Sequence, residues 1–165
     1  MEPPVGGGRR QGIGSMSRFL YVTFIRTTEA KLWEALTKSE FIRQYWFGSR
    51  VESTWTKGAS WTLISQDGKT TDDGEIVEVD PPKKLVIKWQ NQWRPELHDE
   101  GFSRATFEIV AQGDTVKLTV THEIDKTPSK LIDAVSGGWP AILSSLKSLL
   151  ETGQALERAN TLPKK

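Results

Sequence analysis

The side chains in this chain that could do chemistry are few and far apart. His122 is the first of them. It closes an alternating row, Val116, Leu118, Val120 and His122, just before the chain turns toward a helix. An imidazole at the end of an apolar row can anchor a ligand carbonyl or carboxylate by a hydrogen bond. It can equally be a structural histidine satisfied by backbone or by Glu123. The other histidine, His98, sits in a polar stretch and reads as exposed. Two distant histidines and no cysteine show no zinc-ligand spacing, so no metal site is expected. The lack of cysteine also excludes thiol nucleophiles and disulfides. Ser144-Ser145 lack the Gly-x-Ser-x-Gly elbow of a serine hydrolase, and neither Gly6-Gly7-Gly8 nor Gly137-Gly138 leads into the Lys-Ser/Thr of a phosphate loop. Glu96, Asp99, Glu123 and Asp125 read as solvated loop charges rather than as an acid–base pair. A non-catalytic protein without a cofactor is expected.

What the chain has instead is aromatic surface. It carries seven tryptophans in 165 residues, and Trp33, Trp46, Trp61, Trp89, Trp93 and Trp139 can either fill a core or line a concave apolar site. Trp33 and Trp89 suit the core. Trp139 suits a cavity wall, because Gly137-Gly138 precede it and Pro140 follows. Those glycines fit an irregular backbone beside a cavity, or a close approach of the sheet. Trp139 belongs to an amphipathic helix whose apolar stripe runs through Ile132, Val135, Trp139, Ile142, Leu143, Leu146, Leu149 and Leu150.

The elements that must position these residues follow from periodicity and turn chemistry. Residues 19–26 are apolar and β-branched and predict a strand. Thr27 or Thr28 caps a helix over 29–36, and Ser39 caps a second short helix that Gly48 ends. Six strands are predicted over 50–55, 60–65, 74–79, 84–89, 103–110 and 115–123. Residues 90–101 form a long connection holding Trp93, Pro95 and His98. Pro128 fits the first position of the long helix. Residues 1–17 have almost nothing to bury and read as a disordered extension or added remnant, with Met16 a candidate start. A single domain over 18–155 and a flexible tail over 156–165 complete the organisation.

Bulk properties narrow the partners. The 22 basic and 21 acidic residues nearly cancel, leaving no electrostatic footprint for nucleic acid. No apolar run approaches the roughly 20 residues that cross a bilayer, and residues 1–17 lack the apolar centre of a secretory signal. A cytoplasmic protein, monomer or homodimer, is expected.

Two motifs carry a resemblance. The first is Gly74-Glu75-Ile76-Val77-Glu78-Val79, the turn Asp80-Pro81-Pro82, and the strand from Leu85 to Trp89. The second is Thr119-Val120-Thr121-His122-Glu123, then Gly137-Gly138-Trp139 and the helix that ends at Gly153. Lys31-Leu32-Trp33-Glu34-Ala35-Leu36-Thr37 and Tyr45-Trp46-Phe47-Gly48 support them. In this order, from Phe19 to Leu150, the chain resembles the activator of heat-shock-protein-90 ATPase homologue-like family of the START/polyketide cyclase/birch-pollen-allergen-like (SRPBCC) superfamily. The resemblance implies an α+β helix-grip fold. A curved antiparallel sheet of about seven strands, with two short helices after the first, would wrap a long C-terminal helix over a cavity.

The expected ligand is small and hydrophobic or amphipathic, a lipid or a polyketide-like molecule. Its walls would be Trp139, His122, Trp89, Leu118, Val120, Phe107, Ile142 and Leu146, with Tyr21 and His122 orienting any polar end. The family name implies an alternative, a stress-related protein that engages a chaperone. The superfamily implies a third, an enzyme of the polyketide cyclase or aromatase type.

Overall fold

The computed structural model describes residues 16–156. The expectations for residues 1–15 and for the tail after Leu156 lie outside the described residues; Ser17, expected to end the disordered extension, instead opens the first strand, paired with Ile124. Seven strands form one antiparallel sheet: β1 (Ser17–Ile25), β2 (Arg50–Glu52), β3 (Ser60–Ile64), β4 (Thr70–Asp80), β5 (Lys84–Asn91), β6 (Ser103–Gln112) and β7 (Thr115–Ile124). Their spatial order is β1-β7-β6-β5-β4-β3-β2. Helices α1 (Glu29–Thr37) and α2 (Ser39–Tyr45) follow β1, and α3 (Pro95–His98) lies between β5 and β6. The long C-terminal helix α4 (Lys130–Thr152) closes one face of the curved sheet. This is the helix-grip arrangement.

The inner face is built by alternation, with Val86 on β5 buried as well from the other face. Val116, Leu118, Val120 and His122 on β7 are all buried, and so are Ala105, Phe107 and Ile109 on β6 and Leu85, Ile87 and Trp89 on β5. The stripe of α4 that faces them buries Trp139, Ile142, Leu143, Leu146 and Leu149. Each such side chain contributes about 1.5–3 kcal/mol on leaving water, which is what holds the helix in the concavity of the sheet. Polar contacts fix its far end: Lys147 Nζ donates to the Phe24 carbonyl at 2.5 Å, and the Arg26 amide donates to Glu151 at 2.8 Å.

Gly74 decides how closely β4 and β5 can run. It stands opposite Trp89, and a Cβ there would lie 1.7 Å from the Lys88 carbonyl oxygen. No side chain fits in this register, so the glycine of the first motif is a packing requirement.

Several local expectations are corrected. Ser39 does not cap α2. Its hydroxyl both donates to and accepts from the Val51 backbone at 3.0 Å, satisfying the outer edge of β2, which has a strand neighbour on one side only. Strand β2 ends at Glu52 because Ser53 Oγ accepts the Trp55 amide and Trp55 takes a left-handed φ of 59°. Strand β4 starts at Thr70, four residues before the expected Gly74, so Asp72 and Asp73 belong to the sheet. Pro128 lies outside α4, whose cap is Ser129, with Oγ accepting the Ile132 amide at 3.1 Å. Helix α3, absent from the sequence reading, is a single turn and too short for periodicity to reveal.

Candidate functional site

A cleft of about 850 Å3 opens where the N-terminal half of α4 meets β4, β5 and the β5–β6 connection. Three indoles form its floor. Trp46 stacks on Trp89 with centroids 6.1 Å apart, and the Trp139 ring stands edge-on to both, at 5.4 and 5.7 Å. Trp61 backs Trp89 from below at 4.5 Å. Such pairs contribute roughly 0.5–1.5 kcal/mol each beyond their buried area, so this floor is stiff.

Along the helix wall run Val135, Gly137, Gly138, Trp139 and Ile142. A Cβ placed on Gly137 or Gly138 would meet no atom within 4 Å. Close approach of the sheet is therefore not the reason for these glycines. They leave open space beside the cleft, in a helix that runs unbroken through them and through Pro140, so the expected irregular backbone is not found there.

The opposite rim is the β5–β6 connection. Asn91 Oδ1 accepts the Trp93 and Arg94 amides at 3.1 and 2.8 Å, turning the chain into Pro95 at the start of α3. His98, expected to be exposed, is half-buried, with Nδ1 3.0 Å from the Asn91 carbonyl. Glu100 then ties the connection to the start of α4. Its carboxylate accepts Ser129 Oγ at 2.7 Å and the Lys130 and Leu131 amides at 2.8 and 3.3 Å. A carboxylate on free N–H groups at a helix N-terminus is favourable, and here it holds the cleft's two walls together.

Among the described residues, two buried ionisable groups lie at or under the floor. The His122 ring is fully buried, and Trp139 Nε1–H donates to its Nδ1 at 3.1 Å. Because an indole can only donate, Nδ1 is the unprotonated nitrogen and Nε2 carries the hydrogen. Nε2–H donates to Ser103 Oγ at 2.8 Å, and Ser103 Oγ donates onward to the Trp89 carbonyl at 3.2 Å. Burial pushes the imidazole down to about 3, so the ring is neutral. It is satisfied by side chains, and not by backbone or Glu123 as the structural reading expected.

Asp72 is the other group, and it is 8 % exposed. Its Oδ2 accepts Trp89 Nε1–H at 2.8 Å and Asn91 Nδ2–H at 3.4 Å. Burial pushes its carboxyl up to about 6, against those hydrogen bonds, which favour the charged form.

Of the residues expected to wall a cavity, Trp139, Trp89 and Ile142 do line the cleft. Phe107 and His122 lie beneath it against Trp139, at 5.7 and 6.1 Å between rings. Leu118, Val120 and Leu146 are fully buried core residues. Tyr21 is half-buried on β1, where it stacks on Phe19 at 6.3 Å, away from the cleft. Asp72 and Asn91 escaped the sequence reading. The available signal was the inward row Asp72, Gly74, Ile76, but the predicted strands began at Gly74 and ended at Trp89 and so left Asp72 and Asn91 outside them.

Residues 26–151 match the family model described as activator of Hsp90 ATPase homolog 1-like protein. No curated protein sequence matches significantly. Among solved structures, CalU16 from Micromonospora echinospora is similar with a TM-score of 0.67 at 17% identity, over 84% of this chain and 78% of that one. The Aha1 dimer of Colwellia psychrerythraea gives 0.69 at 16%, over 84% and 98%. An Hsp90 activator from Plasmodium falciparum gives 0.60 at 21%, over 74% and 86%. At these identities the likeness is one of fold.

Proposed function

Since the chain belongs to the activator of Hsp90 ATPase homolog 1-like family, we propose that it uses the helix-grip fold to bind a small amphipathic molecule in the cleft between sheet and C-terminal helix. One observation carries this reading. The helix wall gives up side chains at Gly137 and Gly138 just where three indoles present apolar surface. A helix interior loses roughly 0.8–1 kcal/mol for each glycine relative to alanine. Keeping two of them beside open space is reasonable where that space has a use. Removing about 200 Å2 of apolar ligand surface from water would supply about 5 kcal/mol before the costs of association.

The indoles of the floor make intrinsic fluorescence a direct readout against a panel of lipids, polyketides and flavonoids. The variant carrying Gly137→Ala and Gly138→Ala is expected to be more stable by about 1–2 kcal/mol in urea unfolding. It is expected to bind any hit from the panel more weakly. Unchanged affinity in that stabilised variant would place the ligand elsewhere.

A second reading has its own observation. Leu20, Val22 and Phe24 are exposed on the outer face of the edge strand β1, an apolar row on which a chaperone of the Hsp90 type could dock. Stimulation of that chaperone's ATPase rate by the whole chain, lost on changing Val22 and Phe24 to lysine, would favour it over ligand binding.

A further inference from the structure

The charges around the cleft say what the polar end of its occupant should be. Among the described residues three charged ones line it: Asp72, Arg94 and Glu96. Arg94 is paired with Glu96, Nη2 and Nε lying 2.8 and 3.0 Å from Oε2, so these two cancel at the rim. Asp72 is different. Among the described residues no cation pairs with it, and the donors on its Oδ2 are a neutral indole and a neutral amide. Trp89 and Asn91 hold the carboxylate in one orientation from the adjacent strand, β5. Its carboxyl, though pushed up to about 6 by burial, is still largely ionised above pH 7.

A buried carboxylate without a cation is costly, and a cation brought to it recovers much of that cost. The surroundings suit a cation that carries hydrocarbon. Indole faces attract ammonium groups, and the aromatic floor accepts the apolar remainder. A carboxylate ligand would meet the opposite: among the described residues no uncompensated positive charge lines the cleft, and the His122 ring is neutral with both nitrogens engaged.

We propose that the cleft selects amphipathic molecules with a cationic amine end, seated on Asp72 among the indoles of Trp46, Trp89 and Trp139. This rests on the ligand-binding reading above and specifies its chemistry.

Three probes of one chain length test it: dodecylamine, dodecanol and dodecanoate, each below its micellar concentration, titrated calorimetrically and by tryptophan fluorescence at pH 7.5. The amine is expected to bind roughly tenfold to a hundredfold tighter than the alcohol, the range of a charge-assisted hydrogen bond, and the carboxylate more weakly than either. In Asp72→Asn that preference should collapse while the affinity for the alcohol is kept. Equal binding of amine and alcohol would overturn the proposal and leave the cleft reading intact. So would a preference that survives in Asp72→Asn, since surface charge would then account for it. Failure of all three probes to bind would count against the cleft reading itself.

Discussion

Replacing Asp72 with asparagine is expected to stabilise the folded protein at pH 8 by up to about 3 kcal/mol. The sign follows from proton binding. An ordinary aspartate loses its proton near 3.8, whereas Asp72 in the fold holds its proton to about 6. Between those values the folded state binds a proton that the unfolded chain does not. Stability therefore falls as pH rises through the window, and the full cost is present above it. That interval of about two pH units corresponds to about 3 kcal/mol. The asparagine side chain keeps the shape and can still accept from Trp89 Nε1–H, and it carries no charge to desolvate. Urea unfolding at pH 8 and pH 4 provides the check. The variant should be the more stable at pH 8, and the two proteins should converge at pH 4. A pH-independent difference would show that packing, and not the buried charge, separates them. Asp72 thus costs stability where it lines the cleft, and an amine seated on it would recover part of that cost.

His122→Ala is expected to act in the other direction, costing about 3–5 kcal/mol. It leaves the Trp139 indole N–H without its acceptor in a region closed to water, removes the donor to Ser103 Oγ while that hydroxyl keeps its bond to the Trp89 carbonyl, and opens a cavity where a ring had been. Its pH signature opposes that of Asp72. The unfolded imidazole picks up a proton below 6.5, while the buried ring refuses it until about 3. Here the unfolded state binds the extra proton, so stability is full above 6.5 and is lost as pH falls toward 3. Between about 6 and 3.8 the gain from Asp72 partly offsets that loss. A His122→Leu variant separates the contributions, because it restores volume but not hydrogen bonding. It should recover part of the lost stability, and its acid limb below pH 6.5 should be flatter than that of the parent. An acid limb unchanged in His122→Leu would mean that other groups drive acid unfolding.

These two residues also mark where sequence reading succeeds and where it stops. The alternation that ends in His122 was legible, and every residue of that row is buried. A threonine cap of α1 at Thr27 or Thr28, of which Thr28 is the one, Gly153 at the end of α4 and the apolar stripe of α4 were legible for the same reason. Pleat, helical repeat and turn are set by neighbours a few residues apart, so their signals lie side by side in the chain. With the two motifs they were enough for the family and the helix-grip fold.

The candidate site was legible only in part. Trp139, Trp89 and Ile142 could be placed on a wall because each sits on the inward side of its own element. What surrounds them could not. His122 finds its partners on β6 and α4, and Glu100 caps a helix that starts thirty residues later. Asp72 becomes a buried carboxylate only because β4 extends back to Thr70 and pairs Asp72 with Asn91. With a strand that begins at Gly74, Asp72 lies outside the sheet; paired across β4 and β5, it lines the cleft. The open space beside Gly137 and Gly138 is likewise a property of how α4 lies on the sheet. Local backbone preference thus determined the elements and their faces. The hydrogen bonds, the buried charge and the cleft were decided by strand register and helix docking, which bring together groups that no sequence spacing relates.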